Sequence, residues 1–137
     1  MRLNVITLAI VILAVIFFVT HAMNLPWTAL RIAGLAIALP AVILFSMARM
    51  QLGRSFSVEA KATELVTAGI YSRIRNPIYF FGALMILGVI VWTGRPILLL
   101  IYVILIPAQI VRARKEAQIL EAKFGDAYVE YRKKTWF

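Results

Sequence analysis

The fold is decided by residues 77–111, which read PIYFFGALMILGVIVWTGRPILLLIYVILIPAQIV. This stretch holds two apolar runs with a single charged residue, Arg95, between them. The letters TGRP at 93–96 are typical of a tight turn, because glycine and proline suit the backbone angles of turns. Each run is slightly short of the ~20 residues that cross about 30 Å of hydrocarbon. We therefore predict an antiparallel pair of membrane helices at about 77–93 and 96–111.

Two more apolar runs lie upstream, at about 3–22 and 27–50. The first is longer than the ~7–15 apolar residues of a cleaved signal peptide, so we interpret it as a retained helix. The second contains Pro40, which we expect to kink the helix, and small residues that favour close packing. These small residues are Gly34, Ala36, Ala38 and Ala41.

Composition supports the same fold class. Of 137 residues, 63% are hydrophobic and 15% are charged, whereas a soluble domain has about 45–50% apolar and about 25% charged residues. Lipid accepts this excess of apolar surface, and a single globular core does not. We predict an all-α polytopic membrane protein that forms a single domain, 1–137, with four transmembrane helices and a cytoplasmic C-terminal amphipathic helix. In that helical tail, Gly125 is expected to stop the helix and Asp126 to restart it.

The basic residues are distributed unequally between the two sides that four spans create. The loop 51–76 together with Arg49 carries five lysines and arginines, the tail 112–137 carries seven, and Arg2 adds one. The opposite side has two. By the positive-inside rule, the richer side, with both termini, is cytoplasmic. The net charge of +9 is thereby explained by basic residues that set the topology and contact anionic lipid headgroups, and we expect no nucleic-acid partner.

Several classes of site are excluded by residue type. The chain has no cysteine and one histidine, His21, so it has no disulfide, thiolate site or histidine cluster, and no metal is expected. The four predicted spans contain no Asp or Glu, since the first acidic residue is Glu59. Proton-coupled transporters usually need an ionisable group at membrane depth. A small transporter is therefore a weak alternative.

Polar residues are concentrated at the predicted cytoplasmic face, in two clusters. Pro77 suits a helix start, and helix N-termini offer N–H groups that attract carboxylates. Residues 65–79 are consequently either a ligand site or only a positive-inside anchor before a span. Arg112 and Glu116 are four residues apart on one helical face, which fits either a surface ion pair or a charged pair at the mouth of a cavity. The spacing alone leaves both interpretations open.

Five short motifs occur in order around the predicted hairpin. They are LGRSFS at 52–57, LVTAGIY at 65–71, RNPIY at 75–79, EAQIL at 116–120 and FGDAYVEY at 124–131. Their order, spacing and membrane context match together. Over about residues 52–134 the chain resembles the isoprenylcysteine carboxyl methyltransferase family, which is similar to the phospholipid methyltransferases. Asn76 stands where that family usually has histidine, and Ala117 replaces a second glutamate.

The resemblance implies a membrane methyltransferase that uses S-adenosylmethionine and acts on a lipophilic or lipid acceptor. Carboxyl O-methylation is favoured, with phospholipid amine N-methylation close behind. By position, Arg112 matches an arginine near the reacting group, where it would orient an acceptor carboxylate or phosphate. The cofactor pocket would be lined by Leu65, Val66, Gly69, Tyr71, Arg75, Asn76, Pro77, Tyr79 and Glu116. A non-catalytic membrane scaffold also fits the sequence, as does, more weakly, a reductase of related architecture.

Overall fold

The computed structural model describes Leu13 and residues 16–21, 23–52 and 65–137. Residues 16–21 are helical, and six helical elements follow in the remainder of the described chain. These are α1 (Ala29–Leu52), η1 (Gly69–Ser72), α2 (Pro77–Thr93), η2 (Pro96–Leu100), α3 (Ile101–Phe124) and α4 (Asp126–Lys134). The described residues contain no strand, so the all-α prediction is confirmed for them. Most of the predicted span 3–22, and residues 53–64 of the predicted loop, lie outside them.

Two stretches of the described chain are long and apolar enough to cross a membrane. They are α1 and the continuous run Pro96–Phe124, while α2, with 17 residues, is shorter. The core helix of a soluble protein would be mostly buried, but only 17% and 6% of the most apolar 18 residues in the two stretches are buried. Their apolar side chains therefore face outward, as lipid contact requires. The number of spans and the orientation of the termini remain predictions.

Helices α1 and α2 pack with their backbones against each other. The buried residues of α1 are small and share one face, because they recur three, four or seven positions apart. They are Gly34, Ala38, Ala41 and Ala48. A Cβ atom on Gly88 of α2 would lie 2.5 Å from the backbone nitrogen of Ala38. The predicted close packing is confirmed for Gly34, Ala38 and Ala41, whereas Ala36 is exposed. Helix α1 continues through Pro40.

Local sequence signals set the helix ends. Gly94 ends α2 in the left-handed conformation, with φ of 67°, and donates its N–H to the carbonyl of Val91. Gly125 has φ of 54° and separates α3 from α4, which confirms the predicted stop and restart. Neither conformation suits a residue with a side chain. At the start of α2, Pro77 occupies the first turn, as expected.

Helix α3 relates to α2 in a different way from α1. The backbones of α2 and α3 hardly approach each other, and long side chains reach across the gap. The hydroxyl of Tyr102 donates to the carbonyl of Ala83 at 2.5 Å, and Gln109 donates to the carbonyl of Tyr79 at 3.4 Å. No residue of α3 is buried. The described helices therefore combine one close pair with a third helix held at a distance.

Candidate active site

Tyr79, Arg112 and Glu116 come together at one end of the α2–α3 gap. The hydroxyl of Tyr79, on the first turn of α2, donates to Oε1 of Glu116 on α3 at 2.5 Å. The guanidinium carbon of Arg112 lies 5.8 Å from the centre of the Tyr79 ring. Tyr79 and Glu116 are half-buried, whereas Arg112 is exposed. The structure thus joins three predicted site residues, one of which is far from the other two along the chain.

This arrangement bears on the ion-pair interpretation of Arg112 and Glu116. A surface ion pair would place the guanidinium on the carboxylate of its own helix. Within the described part of the chain, no such pair forms between these two side chains, and the carboxylate accepts the Tyr79 hydroxyl instead. The two side chains therefore do not form the ion pair of the first interpretation, and the charged pair at a cavity mouth stays a prediction. A half-buried carboxylate and an exposed guanidinium remain, one helical turn apart, beside a gap between helices.

The short helix η1, which carries the predicted residues Gly69 and Tyr71, is held from both sides. Tyr131 of α4 donates its hydroxyl to the carbonyl of Tyr71 at 2.7 Å. Tyr71 in turn donates its own hydroxyl to the carbonyl of Ala48 in α1 at 3.2 Å. Both tyrosines are buried. The chain of hydrogen bonds therefore ties α4 to η1 and η1 to α1.

Gln51, in the last turn of α1, supplies a further contact to η1. Its Oε1 accepts the N–H of Ile70 at 2.9 Å. Gly69 has φ of 63°, and a Cβ atom there would collide with the Gln51 side chain. Gly69 is thus required by its backbone angle, and a larger residue would also displace the Gln51 side chain from Ile70. Gln51 was not predicted from the sequence, where its position at the polar end of an apolar helix was the only signal.

Buried tyrosines make the stability of this region sensitive to alkali. Burial raises the pKa of the Tyr131 hydroxyl from 10.0 to about 12, and the neighbouring Tyr128 adds to the shift. Burial also raises the pKa of Tyr71. In both cases the neutral hydroxyl is favoured in the folded state, because the tyrosinate anion would be poorly solvated.

We expect the contribution of these tyrosines to stability to be constant below pH 10 and to fall as pH rises toward the folded Tyr131 pKa of about 12. The unfolded chain releases these protons first, so alkali favours unfolding. Tyr131→Phe should weaken this alkaline fall and cost about 1 kcal/mol at neutral pH, since the Tyr71 carbonyl loses its donor. Thermal unfolding in detergent across this pH range measures both effects. Identical pH profiles for the two proteins would contradict the assignment.

Arg75 and Asn76 lie directly before α2 and contact the last residues of the chain. The N–H of Asn76 donates to the carbonyl of Phe137 at 2.8 Å, and the N–H of Arg75 donates to the carbonyl of Trp136 at 3.2 Å. The Asn76 side chain makes no capping hydrogen bond to the helix. One of the N–H groups expected to attract a ligand is thus already used. The contact with residues 136–137 was not predicted, because no local pattern encodes a pairing over such a distance along the chain.

The remaining predicted residues lie around this centre without joining it directly. Pro77 is fully buried at the start of α2, and Leu65 and Val66 are half-buried and lie outside any helix, before η1. Among the described residues, no hydrogen bond links Leu65 or Val66 to Tyr79 or Glu116. The motif at 52–57 falls almost entirely outside the described residues.

Comparison with known proteins gives one result. The model of a family described as phospholipid methyltransferase matches residues 28–127. This range contains α1, α2, α3 and every predicted site residue. No curated protein and no solved structure gives a significant match.

Proposed function

Because the chain belongs to the phospholipid methyltransferase family, we propose that it transfers a methyl group from S-adenosylmethionine to a lipid acceptor at a membrane. The observation that carries the proposal is the cluster of Tyr79, Arg112 and Glu116 inside the range that the family matches. The outward-facing apolar surfaces of α1 and α3 support a lipid environment for that cluster.

The charged and hydrogen-bonding groups of the cluster suit this cofactor. S-Adenosylmethionine is cationic at its sulfonium and at its amino group, and it supplies an electrophilic methyl whose bond to sulfur breaks as the acceptor forms its new bond. Glu116 carries a carboxylate in a half-buried position, where the attraction between opposite charges is stronger than in water. Tyr79 orients that carboxylate through its hydroxyl. In this proposal Glu116 binds a cationic group of the cofactor, and Leu65 and Val66 supply apolar contacts.

Arg112 is the proposed catalytic residue, and its role is to orient the acceptor. Its guanidinium lies beside the Tyr79 ring and is exposed at the gap between α2 and α3. A guanidinium binds a carboxylate or a phosphate through paired N–H donors. Methyl transfer depends chiefly on alignment and exclusion of water. Fixing the anionic part of a lipid near the cofactor would supply that alignment.

Two acceptor atoms fit this arrangement. The motifs favour a carboxylate oxygen, which already has a lone pair for attack. The family description adds weight to a phospholipid headgroup amine, which must first release a proton because an ammonium has no lone pair. Arg112 would hold the reacting carboxylate in the first case and the neighbouring phosphate in the second. Assays with a prenylated cysteine analogue and with phosphatidylethanolamine vesicles distinguish them.

The first test is calorimetric titration of the detergent-purified protein with S-adenosylmethionine and S-adenosylhomocysteine, with a nicotinamide dinucleotide as the control. Saturable micromolar binding of the two adenosyl ligands alone supports the enzyme. Folded protein that binds neither would overturn the proposal and favour a non-catalytic scaffold, for which Asn76 and Ala117 are the best support. Binding of the dinucleotide alone would favour a reductase.

Replacing Arg112 with alanine should reduce turnover of the lipid acceptor roughly tenfold, because a charged hydrogen bond at an exposed position is lost. Affinity for S-adenosylmethionine should stay within about twofold, since Arg112 is assigned to the acceptor. Arg114→Ala is the matched control, because Arg114 lies on the same helix two residues away and so points to a different face. Full turnover by Arg112→Ala, or an equal loss in Arg114→Ala, would contradict the role.

A further inference from the structure

The last three described residues run beside the loop that precedes α2. Ile74 and Trp136 form a parallel bridge. Trp136 donates its N–H to the carbonyl of Arg73 at 3.0 Å, and its own carbonyl accepts the N–H of Arg75 at 3.2 Å. The carbonyl of Phe137 accepts the N–H of Asn76 at 2.8 Å. Residues 135–137, hereafter the strap, thus pair with residues 73–76 through the backbone of Trp136 and Phe137.

Side chains also hold the strap, at Thr135 and at Trp136. Thr135 donates its hydroxyl to the carbonyl of Tyr131 in α4 at 3.0 Å, which anchors the strap to the helix before it. The Trp136 ring meets Phe80 of α2 edge-on, with ring centres 5.3 Å apart. Trp136 nevertheless remains 54% exposed. Burial of the Trp136 side chain therefore contributes less to holding the strap than the backbone hydrogen bonds of Trp136 do.

The strap holds the second half of the paired loop. Residues 73–76 lie between η1 and α2 and belong to neither helix. The N–H groups of Arg73 and Ile74 bond to the carbonyl of Ile70, so η1 holds the first half. The N–H groups of Arg75 and Asn76 bond only to the strap among the backbone hydrogen bonds of the described chain. Ordering a loop residue costs conformational entropy, and the strap contributes to the ordering of Arg75 and Asn76 before any ligand arrives.

We propose that the strap is a positioning element for cofactor binding and that Trp136 is its central residue. The inference rests on the proposed function, because the family resemblance places Arg75 and Asn76 in the pocket of the cofactor that this function uses. Pairing with the strap holds the backbone of both residues in one conformation, and a preformed pocket binds its ligand more tightly than one that must be ordered. The strap acts through the loop and has no assigned contact with the reacting atoms.

The decisive variant is Trp136→Pro. Proline has no N–H and therefore removes the bond to the Arg73 carbonyl, and it also removes the ring contact with Phe80. The carbonyl that accepts the Arg75 N–H remains, so the variant weakens the pairing at its centre and does not delete every bond. Thr135 already has extended backbone, with φ of −120° and ψ of 150°, which is compatible with a following proline. Trp136→Phe retains the N–H and an aromatic ring and serves as the rescue variant. Trp27→Ala is the matched control, because Trp27 is 57% exposed and lies outside the loop and strap.

Two readouts are required. Amide hydrogen exchange should accelerate at Arg75 and Asn76 in Trp136→Pro but not in Trp136→Phe or Trp27→Ala. The Kd for S-adenosylmethionine should rise roughly tenfold in Trp136→Pro, with kcat at saturating cofactor within about twofold. A purely structural role would instead lower the unfolding temperature and kcat together, with no selective change in cofactor affinity.

The outcomes separate this inference from the proposed function. Wild-type protein that binds no S-adenosylmethionine overturns the proposed function, and the strap's role toward that cofactor with it. Wild-type binding with unchanged affinity in Trp136→Pro overturns the strap inference alone. Unchanged amide exchange in Trp136→Pro overturns it as well, because the pairing would then not order the loop.

Discussion

Gly88→Ala should lower the stability of the detergent-solubilised protein by about 1–3 kcal/mol, the usual cost of forcing extra atoms into a packed interface. The new Cβ atom would lie 2.5 Å from the nitrogen and 2.8 Å from the Cα of Ala38. These are backbone atoms of α1, so no side-chain rotation relieves the collision. Helices α1 and α2 must separate, and the small residues that pack between them lose contact.

Gly82→Ala provides the matched control on the same helix. There the nearest atoms are ring carbons of Phe45, the closer at 3.6 Å, which is ordinary contact. Alanine is favoured over glycine in helices by about 0.8–1.0 kcal/mol, so Gly82→Ala should unfold at the same temperature as wild type or higher. Thermal unfolding of the three proteins, followed by circular dichroism, measures the difference. Equal unfolding temperatures for the two variants would show that the α1–α2 contact contributes little.

Glu116→Gln should weaken S-adenosylmethionine binding roughly 10- to 100-fold, the range for loss of a charge-assisted contact. Glutamine has nearly the same shape and retains an oxygen that can accept the Tyr79 hydroxyl. The substitution therefore removes the negative charge and keeps the hydrogen bond that places Glu116. Calorimetric titration gives the affinity directly, and the unfolding temperature shows that the fold is retained.

Tyr79→Phe makes the opposite change and belongs in the same experiment. It removes the hydroxyl that donates to Glu116 but leaves the carboxylate in place. If charge is what the cofactor requires, Tyr79→Phe should weaken binding by roughly tenfold or less, because only orientation is lost. Unchanged affinity in Glu116→Gln would remove Glu116 from the cofactor pocket. A larger loss in Tyr79→Phe than in Glu116→Gln would make orientation more important than charge.

The sequence predicted those features of the fold that short segments encode. Pro77 begins a helix and Gly125 ends one because their allowed backbone angles act within a few residues. The small residues of α1 predicted close packing, since lack of side-chain bulk is visible in the sequence itself. Their partner Gly88 was not identified, because a contact between two helices depends on how each is rotated about its axis.

The candidate site was predictable only in part for the same reason. The spacing of Arg112 and Glu116 predicted that they share one helical face and left open whether they form an ion pair. In the structure, the carboxylate of Glu116 accepts a hydrogen bond from Tyr79, 37 residues away in sequence. The resemblance to a known family brought Tyr79 and Glu116 into one prediction, whereas spacing did not. The pairing of Trp136 with Arg73 and Arg75 was invisible, because backbone groups that bond across such distances leave no side-chain signature.

The unequal separation of the helices has a consequence for how such a protein can diverge. At the contact between α1 and α2, Gly88 leaves no room for a side chain larger than a hydrogen atom, so selection must preserve glycine there. Across the α2–α3 gap, side chains such as Tyr102 and Gln109 span the distance and can be exchanged for longer or shorter ones. Descendants of this chain can therefore alter the width of the α2–α3 gap while the α1–α2 contact keeps them folded.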